Sequence, residues 1–198
     1  MERVVSGERR ARFEGERVGT ASAAALARAE ELAAALRELE TLGLAPLLED
    51  GGVAGNGALA LEGASFLTSA SARRPGEPAV VEVLAFDAER FHVVFRGEPG
   101  REPTSDLALH ACALTCGARA TLHGHALSTE ADARRLGLPI SAEATTFGTR
   151  EDLEATRAML SAAPYPRHRT WIRRDHGFLV AAASMDEARA LVRSLASR

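Results

Sequence analysis

Apolar residues recur at helical spacing through TASAAALARAEELAAALRELETL, residues 20–42, and Gly43 follows where a helix would stop. The period then changes. LEDGGVAGNGALAL, residues 48–61, gathers glycines and Asn56 and reads as a loop feeding strands, with the apolar run SFLTS after it. AVVEVLAF and FHVVF alternate on either side of the turn residues DAER and predict a hairpin. Thr104 or Ser105 is placed to cap a helix through DLALHACALTC to Gly117, and the strand-like RATLH comes next. STEADARRL predicts another helix. Thr149 with Asp152 approximates a capping box for EDLEATRAML, and Ser184 with Glu187 forms one for MDEARALVRSLA. Between these two helices lie TWIRR and FLVAA, joined at Asp175, His176 and Gly177. Helices alternating with short strands predict an α/β arrangement in which helices pack on a sheet. No repeat, low-complexity tail or boundary interrupts the pattern, so residues 1–198 read as one domain with 1–20 peripheral.

Composition narrows the function classes. A chain of 198 residues can bury a core without disulfides or structural metal. Hydrophobic residues at 46% and charged residues at 26% are ordinary for a globular protein, and no apolar run approaches the ~20 residues of a membrane span. The opening MERVVSGERRARFEGER is charged and lacks the apolar stretch of a secretory signal, which predicts a cytoplasmic protein. A net charge of -3 without a basic stripe argues against nucleic acid as a partner and for a small-molecule substrate. Cys112 and Cys116, four apart in a helical stretch, suit reduced thiols in packing roles.

Every cationic side chain is Arg; the sequence contains no lysine. Schiff-base aldol chemistry and pyridoxal phosphate both need a lysine amine, so both are excluded. Carbon–carbon chemistry in this chain would need a metal as its electron sink.

The histidines supply a candidate. In LHGHA, His123 and His125 are two apart at the end of a predicted strand, so the pleat directs both imidazoles to one face. Gly124 between them adds no bulk. His176, at another strand end before Gly177, could complete a three-nitrogen site, and three protein ligands plus water is the pattern of catalytic zinc. The pair alone reads equally well as two half-buried strand histidines bonded to backbone carbonyls. His92 and His168 read as surface or partly buried residues. His110 shares a helix with Cys112 and Cys116, but positions i and i+2 face different ways, so this trio cannot converge on one metal.

GN, a downstream FLT, PTSD-LALH, LHGH and DHG, in that order from about Gly51 to the C-terminus, resemble the class II aldolase/adducin family. The resemblance implies a three-layer α/β/α fold with a central, largely antiparallel sheet. It implies zinc, or another divalent transition metal, on His123, His125 and His176, and a homotetramer with active sites near subunit contacts. In sugar-phosphate aldolases of that family, such as those acting on fuculose phosphate, the matching positions make Thr104 and Ser105 phosphate ligands and Asp106 the proton-handling acid. Asn56, Gly57 and Thr68 fall at the remaining substrate positions. A helix start offers the same Thr, Ser and Asp a simpler role as caps and first-turn charges.

The chain departs from the family pattern at several places. Asp106 stands where Glu is usual, Gly57 and Ala58 follow Gly-Asn where a small hydroxylated residue is usual, and Thr68, Ser69, Ala70 and Ser71 replace a Thr-Pro-Ser/Thr-Gly loop. Tyr165, the only tyrosine, precedes His176, so a C-terminal catalytic tyrosine is missing. The function implied is a zinc-dependent lyase of carbohydrate metabolism. It would perform retro-aldol cleavage or aldol addition on a small ketose or hydroxy-ketone, phosphorylated or not, through a zinc-stabilised enediolate. A dehydratase of the methylthioribulose phosphate type and a noncatalytic oligomerisation module like the adducin head are the alternatives.

Overall fold

The computed structural model describes residues 13–197. The element order is β1 (Glu14–Arg17), α1 (Ala23–Thr41), β2 (Gly55–Ala60), β3 (Phe66–Ser69), β4 (Val80–Asp87), β5 (His92–Arg96), α2 (Leu107–Thr115), β6 (Ala120–Gly124), α3 (Glu130–Leu136), α4 (Arg150–Ala162), β7 (Thr170–Arg173), β8 (Gly177–Ala182) and α5 (Met185–Ala196). The eight strands form one sheet in the order β1-β5-β4-β3-β2-β6-β8-β7. Every neighbouring pair is antiparallel except β1 with β5. This is the α/β fold that the element pattern predicts, with the largely antiparallel sheet that the family resemblance implies.

Strand alternation builds the layers. On β6, Ala120 and Leu122 face a core made with Leu32, Leu36 and Leu39 of α1 and Val192 of α5. On β8, Phe178, Val180 and Ala182 join that core, whereas Leu179 and Ala181 face Leu109 of α2 and Leu160 of α4 on the other side. Thr121 and His123 therefore point to the α2 side. Glu38 ties α1 to α5 by accepting from Arg189 Nε at 2.5 Å and Arg193 Nη1 at 2.6 Å.

GNGALA is not loop but β2, buried along its whole length between β3 and β6. Its glycines answer to packing, because a Cβ on Gly57 would lie 2.9 Å from Leu122 Cδ2 and Thr121 O and 3.1 Å from Leu32 Cδ1. α1 can close on the sheet only over a residue without a side chain.

Several ends differ from expectation. Glu14–Arg17, within the stretch read as peripheral, adds the parallel edge strand; residues 1–12 of that stretch lie outside the described residues. Neither Thr104 nor Ser105 caps α2. Its N-cap is Asp106, whose side chain makes no capping bond and is turned elsewhere. Thr149 Oγ1 accepts from Asp152 N, but the Asp152 carboxylate turns inward to Thr145 and Arg173 instead of closing a box. Ser184 Oγ accepts from Glu187 N, while the Glu187 carboxylate reaches Ala183 N, one residue before the cap. α3 carries a complete capping box, Thr129 with Asp132. Cys112 packs against the α2-side core, whereas Cys116 is exposed, and both are free thiols. No helix among the described residues is long and apolar enough to cross a membrane.

Candidate metal centre and active site

The site lies at the end of the sheet where β2 begins, β6 ends and β8 begins. Register pairs Asn56 with His123 across β2 and β6, and Gly124 with Phe178 across β6 and β8. His125 follows two residues after His123, just past the strand. His176 sits in the β7–β8 turn after Asp175, whose φ of 56° makes the chain reverse sharply. Gly177 permits the approach: a Cβ there would stand 2.3 Å from the Gly124 carbonyl oxygen and 2.9 Å from His123 Cε1. From the α2 layer, Asp106 enters between the imidazoles.

The three rings form a near-equilateral triangle, with centroids 4.8, 4.8 and 5.0 Å apart and planes steeply inclined to one another. Asp106, His123, His125 and His176 each present one donor atom, and these atoms all lie within 4.8 Å of one another. His123 Nδ1 stands 2.7 Å from the Phe178 carbonyl oxygen, which fixes the proton on Nδ1 and leaves the Nε2 lone pair facing inward. His123 Nε2, both ring nitrogens of His176 and Asp106 Oδ1 are buried without a hydrogen-bond partner. His176 Nε2 and Asp106 Oδ1 are 3.2 Å apart, near enough for charge attraction but not aligned as a hydrogen bond. Buried polar atoms are rarely left orphaned. Nitrogen and carboxylate donors converging without partners fit a divalent transition metal.

Electrostatics agree with that fit. Burial alone would push the Asp106 carboxyl up, but protonation of the surrounding His123, His176 and His125 on acidification holds it well below the usual carboxylate range. Burial pushes His123 and His125 down, keeping them neutral as metal ligands must be. Burial also acts to lower His176, yet the adjoining Asp106 carboxylate raises it overall.

Asn56 Nδ2 donates to Asp106 Oδ2 at 2.6 Å, and Asn56 Oδ1 lies 2.7 Å from His110 Nε2. Sequence reasoning weighed His110 only against the nearby cysteines and missed this. The available signal was its place four residues after Asp106, which puts both on one face of the helix. A cavity of about 210 Å³ opens beside the cluster, walled by Asn56, Thr104, Ser105, Asp106, His125 and Phe147 among others. Gly57 and Thr68 are not on its wall. Thr68 is fully buried and its hydroxyl donates to the Gly57 carbonyl at 2.9 Å. Ser69 Oγ accepts from Gly57 N at 3.4 Å, and Thr104 Oγ1 accepts from Asp106 N at 3.4 Å. His92 and His168 are partly exposed and belong to neither group. A larger cleft, about 380 Å³, lies by Phe66, Phe86, Leu114 and Arg119 at the far end of β2 and α2. It gathers no convergent polar groups, so we place the chemistry in the smaller one.

No family model matches the sequence, and no curated protein matches it at the sequence level. Solved structures do match in shape. An L-fuculose-1-phosphate aldolase from Thermus thermophilus is 20% identical, with 86% of this chain and 90% of that chain covered and a TM-score of 0.57. A sugar-phosphate aldolase from Thermotoga maritima is 15% identical over 87% of this chain and 91% of that one, at a TM-score of 0.61. An aldolase II superfamily protein from Pseudomonas syringae is 17% identical over 88% and 73%, at 0.66. With its mixed sheet, its helix layers and these neighbours, this chain has the fold of the class II aldolases.

Proposed function

We propose that this protein is a zinc-dependent lyase that cleaves a small hydroxy-ketone or ketose by a retro-aldol step, or runs the reverse addition. The observation carrying this reading is the convergence of donor atoms of His123, His125, His176 and Asp106 within 4.8 Å of one another, those of His123, His176 and Asp106 being buried without partners. The three histidines would hold the ion. Its chemistry when bound is that of a Lewis acid on a carbonyl and neighbouring hydroxyl.

The chain's own residues account for the rest. Asp106, kept ionised, takes the proton of the hydroxyl whose carbon–carbon bond breaks, and returns it to the carbon of the departing fragment. Asn56 holds one carboxylate oxygen, so the other faces the histidines. The cavity, about 210 Å³, suits a small substrate. Phosphate recognition has less support at Thr68 than in a sugar-phosphate aldolase, since Thr68 lies off the cavity wall and its hydroxyl donates to the Gly57 carbonyl, whereas Thr104 and Ser105 remain on the wall. Arg73 on the cavity wall is buried and paired with Glu40. Leu48 and Phe147 remain exposed on the cavity wall, which supports a subunit contact near the site, as in the homotetramer the resemblance implies.

Zinc-loaded protein incubated with phosphorylated and unphosphorylated ketoses tests the reading. Two carbonyl fragments in the products support it. A single diketone product would make the protein a dehydratase on the same site, and no turnover of any ketose would favour a noncatalytic module.

A further inference from the structure

A line of three buried contacts leads away from Asp106 and returns to the strand it faces. Asn56 Nδ2 meets Asp106 Oδ2 at 2.6 Å, Asn56 Oδ1 meets His110 Nε2 at 2.7 Å, and His110 Nδ1 meets Thr121 Oγ1 at 2.8 Å. His110 and Thr121 are fully buried and Asn56 is 8% exposed. Thr121 lies two residues before His123 on β6 and on the same face. The contacts therefore join β6, α2 and β2 into a closed frame behind the candidate metal centre.

Hydrogen-bond chemistry fixes the direction of every link. An ionised carboxylate only accepts, so the amide group facing Asp106 must be the NH2 of Asn56. The amide oxygen then faces His110, and because a carbonyl carries no proton, the bond requires hydrogen on His110 Nε2. In the neutral ring Nδ1 is bare and accepts from the Thr121 hydroxyl. The opposite tautomer would set two lone pairs against each other at 2.7 Å. Burial keeps the ring neutral by lowering its pKa to about 4, partly offset by Asp106.

We propose that His110 is a positioning residue of this site: its Nε2–H, on a ring whose Nδ1 is anchored at the Thr121 hydroxyl, turns the Asn56 amide so that the nitrogen holds the Asp106 carboxylate toward the three histidines. A histidine that merely filled the core would have no need to specify which end of Asn56 faces Asp106. Here that choice decides whether the carboxylate meets a donor or a second acceptor. The consequence for the metal rests on the reading of the histidine cluster given above. The consequence for the His110 tautomer does not.

Two measurements separate these. In metal-free protein labelled with nitrogen-15 at histidine, long-range proton–nitrogen spectra at neutral pH should show His110 with a protonated Nε2 and a bare Nδ1. A protonated Nδ1, or averaging between tautomers, overturns the proposal whatever the metal does. Cobalt(II) alone then serves as the probe of the centre. His110→Phe, which keeps a ring but loses the donor, should weaken cobalt binding by about 10- to 100-fold and change its visible spectrum. His110→Gln, which can still donate to Asn56, should recover most of both. Should the Phe variant fail to fold, Thr121→Val removes the hydrogen-bond partner that anchors His110 Nδ1, and should weaken cobalt binding and change its spectrum in the same direction. Equal cobalt affinity and an unchanged spectrum in His110→Phe would overturn the positioning role. Absence of cobalt binding by wild type would refute the metal reading and leave the tautomer spectra to decide this one.

Discussion

Asp106 Oδ1 stands 3.2 Å from His176 Nε2, one residue from the start of α2 and the other from the turn between β7 and β8. The opposite carboxylate oxygen is held by Asn56 at 2.6 Å, so the oxygen beside His176 is the one left for chemistry. Asp106→Asn keeps the shape and removes the charge. It should lower turnover by about 10²- to 10⁴-fold, the usual worth of a positioned acid–base group, while the three histidines still bind zinc, about 10- to 100-fold more weakly. Steady-state rates with metal analysis of the same sample check this. Unchanged turnover would remove Asp106 from the mechanism.

His110 links the site to acid stability. Its folded pKa is lowered to about 4 from 6.5, so between those values the unfolded chain takes up a proton that the folded protein refuses. Stability then rises with pH, is fully present above about pH 6.5 and is lost as pH falls toward 4, by up to about 3 kcal/mol. Urea unfolding at a series of pH values should show this slope, and His110→Gln should reduce it, leaving the part that the lowered His123 and His125 contribute. A variant with the wild-type slope would show that other groups carry the acid response.

Arg173 and Asp152 form an ion pair in which both side chains are 1% exposed, with Thr145 bonded to each. Arg173→Met strands a buried carboxylate and should cost about 3–5 kcal/mol, whereas adding Asp152→Leu should recover most of that loss. Chemical denaturation of the single and double variants decides it. Equal stability of the two would mean that Asp152 finds another partner.

Gly57 is the contact point of α1 on the sheet. Gly57→Ala places a methyl 2.9 Å from Leu122 Cδ2 and the Thr121 carbonyl, and should destabilise by about 1–3 kcal/mol, read as a lowered Tm. A Tm equal to wild type would show that α1 can lift without loss.

The sequence was informative where periodicity and residue chemistry coincide. α1 carries Leu32, Leu36 and Leu39 on one stripe, and the β4–β5 hairpin alternates around DAER, so both were legible. β2 was not, because its glycines look like loop until Leu32 and Leu122 are seen against Gly57. β1 was not, because EGER presents only exposed side chains and pairs through its backbone, as in the bond from Glu14 N to Phe91 O at 3.1 Å. His123 and His125 were legible from the pleat, and His176 and Asp106 from order and resemblance. The place of His110 was hidden because it depends on Asn56, which comes to α2 only through the pairing of β2 with β6.

The central claim is that His123, His125 and His176 bind one divalent metal, and metal content with dissociation constants for zinc in wild type and in each histidine-to-alanine variant tests it most directly. Near one zinc per chain in wild type, with binding lost or weakened by orders of magnitude in all three variants, is the predicted result. A wild type that takes up no zinc, cobalt or manganese, or variants that bind as wild type does, would contradict it.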